Sequence, residues 1–409
     1  MIAAVIERCV GIDVGKKRVA ACVMTGDAAA EPQWELQEFG TTVAELRRLR
    51  AWVVACGCTH AAVESTGVYW QPVFNHLEDA LTVVLAQPQQ VKARKGHKTD
   101  RQDAWWLAHL LRHAMIRPSF IPPPAVRELR DLTRLRRGVL EQATQERNRV
   151  EKVLEKANVK LSSVLSDLFG VSGQRMLEAL LEGRASAAEI ADLARHTARK
   201  KIPALVAALE QHQLNDHHRL LIRLHVDHWA FLENEIHTID EAIAKQIRDH
   251  GWHPHQELLT TIPGVGPTSA AAILAEVGPD MSVFGSEKKI SAWAGACPGN
   301  AVSAGVSGST RRPQGNAHLK TTLSMCAIAA SHTTAGALRD QFNRIAPRGR
   351  AKAAAAVAHT ILVHAFHVLQ SQTPYREPQR LLSHRRKARL IRHHIRRLGK
   401  LGVAVKPAG

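Results

Sequence analysis

Short apolar runs alternate with amphipathic stretches from the N-terminus to His113, and this alternation limits the fold more than any other feature. The run around Val5–Val14 carries Asp13 near its end. A Gly-Lys-Lys turn follows, then Arg18–Met24, rich in Val and Ala, so the two runs read as a β-hairpin. Trp34–Phe39 supplies a third strand. Val43, Leu46, Leu49, Trp52 and Val53 repeat at helical spacing across Thr42–Ala55, with Thr41 or Thr42 as the N-cap. His60–Glu64 is a strand, Tyr69–Leu77 a helix and Leu81–Ala86 a strand stopped by Pro88. Asp100–His113 is an amphipathic helix that ends before Pro118. The order β-β-β-α-β-α-β-α suits a mixed sheet covered by helices.

The Ile121–Pro124 segment, IPPP, marks a boundary. Beyond it the pattern is helical. Val126–Ala157 and about His218–Ile247 are long periodic stretches with charged outer faces, the two arms of a helical or coiled-coil insert. The segment from about Pro254 holds a glycine turn, a glycine-rich loop and alanine-rich helices. The expected class is therefore α/β followed by α. Its expected domains are 1–118, a helical region 119–252, a mainly helical domain 253–373 and a basic tail 374–409.

Charge narrows the partner. Lys plus Arg number 55 against 37 Asp plus Glu, a net +18 with an isoelectric point near 10.1. Such a surplus calls for a polyanion, with nucleic acid first. A membrane partner is not expected, because no long charge-free apolar span is evident. The N-terminus lacks the basic-then-apolar pattern of a signal peptide. Six scattered cysteines read as reduced thiols of a cytoplasmic protein, and the Cys56–Cys58 spacing argues against a zinc site.

Four acids stand out against this basic background. Asp13 and Glu64 end strands, while Asp100 and Asp103 share one face of a helix. Singly, each has a bland reading as a turn residue, an N-cap or a first-turn acid. Together, carboxylates converging from two strand ends and a helix face repel one another unless cations neutralise them. Hard oxygen donors suit Mg²⁺ or Mn²⁺, and two such ions clamp the attacking and leaving oxygens of a phosphoryl displacement. Lys92, Arg94, Lys95 and Lys98 immediately precede the helix and suit phosphate contact.

In the last domain, LLTTIPGVGPTSAAAILAEV reads as helix, tight turn, helix. Gly264 and Gly266 permit close backbone approach, as in a helix-hairpin-helix that binds a phosphate backbone; an ordinary helical hairpin has the same spacing. The loop near Gly295–Gly315 carries Ser303, Ser307, Ser309, Arg311 and Arg312, followed by Lys320, and its basic groups suit a phosphate.

GIDVGKKRVAACV, AAVESTGVYW and GHKTDRQDAWWLAHLL resemble the three motif blocks of the DEDD transposases of the IS110/IS1111 insertion-sequence family. The likeness covers nearly the whole chain. It implies an RNase H/RuvC-like N-terminal domain in which Asp13, Glu64, Asp100 and Asp103 bind the metal. It also implies a nucleophilic serine, which the AG..P block places at Ser303. Ala304 separates Ser303 from Gly305 where some members have the glycine directly, which leaves Ser307 and Ser309 as alternatives. The implied activity is transposition of DNA in a prokaryotic cytoplasm through a phosphoserine–DNA intermediate. The implied partners are donor and target DNA, a structured bridge RNA and further copies of the chain, as dimers assembling into tetramers. Two readings compete: a RuvC-like structure-selective nuclease using water, and a non-catalytic nucleic-acid-binding protein on a decayed scaffold.

Overall fold

The computed structural model describes residues 4–64, 67–86, 99–116, 118–210, 212–297, 302–303, 306–307, 314–377, 391–392 and 395–398. Contacts divide the chain inside the IPPP segment, into one unit ending at Ile121 and another beginning at Pro122.

In the first unit β1 (Arg8–Val14), β2 (Arg18–Thr25) and β3 (Gln33–Gly40) form an antiparallel meander. It is followed by α1 (Val43–Ala55), β4 (His60–Glu64), α2 (Trp70–Leu77), β5 (Thr82–Ala86) and α3 (Asp100–Arg112). The sheet order is β3-β2-β1-β4-β5, with β4 parallel to both β1 and β5. Thr42 sits at the N-cap of α1, but its side chain makes no capping bond. Instead Glu45 reaches back to accept from the Gly40 N–H, and the Thr41 hydroxyl donates to the Lys16 carbonyl.

Strand alternation sorts the core into two faces. Val10, Ile12, Val19, Val23 and Val63 pack with Leu46, Leu49 and Val53 of α1 and Val73 and Leu77 of α2. The opposite face is lined by small or slim residues, Cys9, Ala20, Cys22, Ala62 and Ala86, against Ala104, Leu107, Ala108 and Leu111 of α3. Burial pushes the Cys9 thiol up to about 11, and all six cysteines are free.

Gly11 sets how closely α3 approaches. A Cβ at that position would lie 2.1 Å from the Ala108 nitrogen and 2.3 Å from the Ala104 oxygen, so helix backbone rests directly on strand backbone. The Cys9 thiol donates to the Ala108 carbonyl at 3.6 Å. One turn on, the buried Arg112 guanidinium donates to the carbonyls of Ile6, Glu7, Gly26 and Asp27 at 2.7–3.2 Å. Contacts thus run from the middle of β1 back to its beginning as α3 proceeds, so α3 is antiparallel to β1. Arg112→Met is expected to cost about 3 kcal/mol or more, because it strips charged donors from several carbonyls at once. Chemical denaturation checks this; a wild-type midpoint would show that those carbonyls find other partners.

The second unit is built on α4 (Pro124–Lys156) and α9 (Asp216–Asp249). They pair antiparallel: Gln246 donates to Glu128 at 2.9 Å, Arg136 binds Asp240 at 2.5 and 2.8 Å, and His225 and His228 meet Glu146 at 2.8 and 3.1 Å. The chain between them makes α5 (Leu161–Val164), α6 (Val171–Glu182), α7 (Ala187–Asp192) and α8 (Ile202–Leu209). These form a small helical tip around Leu154, Leu161, Met176, Leu180 and Ile222.

At the other end lie α10 (His253–Thr260), α11 (Pro267–Val277), α12 (Glu287–Trp293), a two-residue ribbon of β6 (Val302–Ser303) and β7 (Val306–Ser307), α13 (Ala317–Ser331), α14 (Ala337–Ile345) and α15 (Arg350–Ser371). α11 packs on α4, joining this base to the hairpin. Among the described helices, α15 alone is long and apolar enough to cross a membrane. Its Val357, Ile361, Leu362, Phe366 and Leu369 are buried within the unit, in contact with α13 and α14, as in a core helix.

Candidate active site

The acids of the first unit are brought to one corner by three separate rules. First, register: Ile12 pairs with Val63 across the parallel β1 and β4, so the next residues, Asp13 and Glu64, end neighbouring strands side by side. Second, alternation: Asp13 shares a face with Gly11, and Glu64 with Ala62, so both belong to the face covered by α3. Third, direction: α3 is antiparallel to β1, so its first turn, with Asp100 and Asp103, lies at the end of the sheet where β1 and β4 finish. Thr99, not Asp100, is the N-cap, its hydroxyl accepting from the Gln102 N–H at 3.3 Å. Asp100 is exposed, and Asp13, Glu64 and Asp103 are half-buried.

Four carboxylates are the donor chemistry of a hard-cation site. As they stand, no three His, Cys, Asp or Glu side chains among the described residues are grouped to hold one ion. Lys92, Arg94, Lys95 and Lys98 lie outside the described residues, as do Ser309, Arg311 and Arg312.

In the second unit the glycine turn is used differently at its two positions. Gly264 has φ +88, and a Cβ there would lie 2.4 Å from the Cys326 oxygen and 2.6 Å from the Ala330 nitrogen of α13. Its close approach therefore serves packing of α13. Gly266 is the N-cap of α11 and faces open space, though Pro267 brings no N–H to that helix start. Ser303 pairs with Val306 across the β6–β7 ribbon, which places Ser303 and Ser307 on one small hairpin. Lys320 is half-buried in the first turn of α13.

A buried ion-pair cluster, not foreseen from sequence, stands at the root of this loop. The Glu276 side chain is 3% exposed and receives two parallel bonds from Arg134, at 2.8 and 2.9 Å. Arg130 lies 3.2 Å from the same carboxylate and donates to the carbonyls of Ala275 and Glu276. The Asn316 amide donates to Glu276 at 2.5 Å, while its oxygen caps α13 by accepting from Leu319 N–H. A cavity of about 900 Å³ beside the cluster is lined by α4, α9, α10, α11 and α13, where Arg134, Arg137, Arg248, Glu141 and Asp240 share the wall with apolar residues such as Ile243 and Met325.

Burial by itself would raise the Glu276 carboxyl, but the Arg134, Arg130 and Asn316 contacts outweigh it and hold the group below the usual glutamate range. A depressed carboxyl stabilises the fold above its unfolded pKa and loses that contribution as pH falls through the folded value. Melting temperature should therefore fall more steeply below the ordinary glutamate range in wild type than in Glu276→Gln. Parallel curves for the two proteins would remove Glu276 from the acid transition.

Two family models match the chain. One, described as a transposase of the DEDD IS110 type, covers residues 10–159, from β1 to the end of α4. The other, described as the transposase IS116/IS110/IS902 family, covers residues 256–343, from α10 through most of α14. The chain belongs to this IS110 transposase family. One match holds all four acids together with Arg130 and Arg134, and the other holds Glu276, Asn316 and the loop with Ser303. A curated relative, an insertion element IS900 uncharacterized 42 kDa protein of Mycobacterium paratuberculosis, is 34% identical over 83 residues, a stretch covering 20% of each chain.

Proposed function

We propose that this chain is the transposase of an insertion sequence, a recombinase that cuts and rejoins DNA by metal-dependent serine attack. What supports the reading is that Asp13 and Glu64 end neighbouring strands on the sheet face covered by α3, whose first turn carries Asp100 and Asp103, in a family of transposases. The order β3-β2-β1-β4-β5, with its antiparallel meander and two parallel strands, supports an RNase H/RuvC-like first unit.

In this reading the four carboxylates hold Mg²⁺ or Mn²⁺, two ions that supply charge neutralisation at a scissile phosphate. Ser303 is the nucleophile. Its hydroxyl gives up a proton as the Oγ–P bond forms, and a P–O ester bond of the DNA breaks. The departing oxygen takes up a proton and becomes a free hydroxyl end. One ester is exchanged for another, so the reverse attack rejoins strands without ATP. Arg311, Arg312 and Lys320 balance charge on the five-coordinate phosphate. Lys92, Arg94, Lys95 and Lys98 track the backbone next to the acids.

The net charge of +18 supports a polyanionic partner, here donor and target DNA, and the family resemblance implies a structured bridge RNA beside them. The antiparallel stalk supports self-association, with dimers assembling into tetramers in the cytoplasm. Serine and acids lie in different units of the chain.

Ser303→Ala is expected to abolish a denaturation-resistant protein–DNA adduct and strand exchange together, with DNA affinity retained. Gel analysis of labelled DNA reads the adduct. Full strand exchange by the variant would sink the serine assignment, and cleavage without any adduct in wild type would favour water as nucleophile. Sequencing RNA that co-purifies from cells expressing the whole element tests the guide.

A further inference from the structure

We infer that Glu276 is a positioning residue for the serine loop: through Asn316 it ties the end of that loop to Arg134 and Arg130 of α4, and so fixes where Ser303 is presented. The inference rests on the proposed serine chemistry for its purpose but on the described geometry for its substance.

Three observations lead to it. The segment between α12 and α13 is closed at its root, because a Cβ on Gly315 would lie 2.5 Å from the backbone of Ala294 and Gly295. Entry and exit of the loop are thus in backbone contact. Asn316, the next residue, does two separate tasks. Its oxygen caps α13, a task that Ser or Asp also performs. Its amide nitrogen reaches Glu276, which capping does not require. Finally, Glu276 is a carboxylate set in the apolar run ILAEV and almost fully buried. Apolar packing usually stabilises such a position as well as an ion pair does, so the pair is explained better by geometry than by stability. What the pair adds is direction: a bidentate guanidinium fixes the carboxylate plane, and that plane fixes Asn316.

The test uses the full-length protein with its DNA. Asn316→Ser keeps the cap and loses the reach to Glu276. With DNA saturating, its single-turnover adduct formation is expected to slow about tenfold to a hundredfold, as misplaced reacting groups do. DNA affinity is expected to stay at the wild-type value and melting temperature to fall by only about a few degrees, the Arg134 and Arg130 contacts to Glu276 being kept. Amide hydrogen exchange in the 295–316 segment is expected to rise. Glu276→Gln combined with Asn316→Ser should be no slower than the worse single variant, since both cut one link. A wild-type rate in Asn316→Ser, or unchanged exchange at the loop root, overturns the inference. If wild type itself forms no adduct, the serine reading falls. The rate is then read on strand cleavage, and the exchange measurement still decides the clamp. Should Glu276→Gln fail to fold, Asn316→Ser alone carries the decision.

Discussion

Asp100→Ala combined with Asp103→Ala is expected to lower metal-dependent DNA cleavage at least about a thousandfold while the first unit stays folded. The two acids occupy the first turn of α3, where each stabilises the helix dipole by about 0.3–1 kcal/mol. The cap itself is Thr99 and survives the change. Both acids lie outside the apolar seam formed by Ala104, Leu107, Ala108 and Leu111. Loss of function should therefore come without loss of fold. DNA affinity should hold or rise slightly, because two negative charges leave a phosphate-binding surface. Cleavage of labelled DNA across a Mg²⁺ titration measures the effect. Undiminished transposition by the double variant would end the metal reading.

Gly11→Ala should be nearly as damaging for a different reason. The added methyl would overlap the backbone of Ala104 and Ala108, at distances no contact tolerates. Backbone cannot rotate aside as a side chain can, so α3 must lift from the sheet. Overpacking commonly costs about 1–3 kcal/mol, and a clash with main chain belongs at or above the top of that range. Lifting α3 also parts Asp100 and Asp103 from Asp13 and Glu64, so activity should fall even in the fraction that folds. Circular dichroism melting and cleavage assays together check this. A variant with wild-type melting and cleavage would mean that α3 does not rest on Gly11.

Much of the first unit is legible in its sequence because its signals are local. His60–Glu64 and Asp100 are read directly from the period of apolar residues, and β1 and α4 begin within a few residues of expectation. The acids were legible as strand-end and helix-face residues for the same reason. What escaped depends on contacts between distant residues. Gly11 sits inside the apolar run Val5–Val14 with no local signal of its role, which is set by Ala104 and Ala108. Arg112 looks like an ordinary C-terminal helix cation and instead gathers carbonyls from Ile6 to Asp27. Gly264 looks like a phosphate-approach glycine and is spent on α13. Glu276 gives a weak hint, a lone acid in an apolar run, but nothing local names Arg134 or Asn316 as its partners.

The paired α4 and α9 behave as a ruler. A helix of 33 residues is about 50 Å long, and the chain returns along its partner almost to where it set out. Adding one heptad to both arms would move the tip outward by about 10 Å while leaving both end cores with their own contacts intact. Reach can therefore change in evolution, or by design, without rebuilding either end.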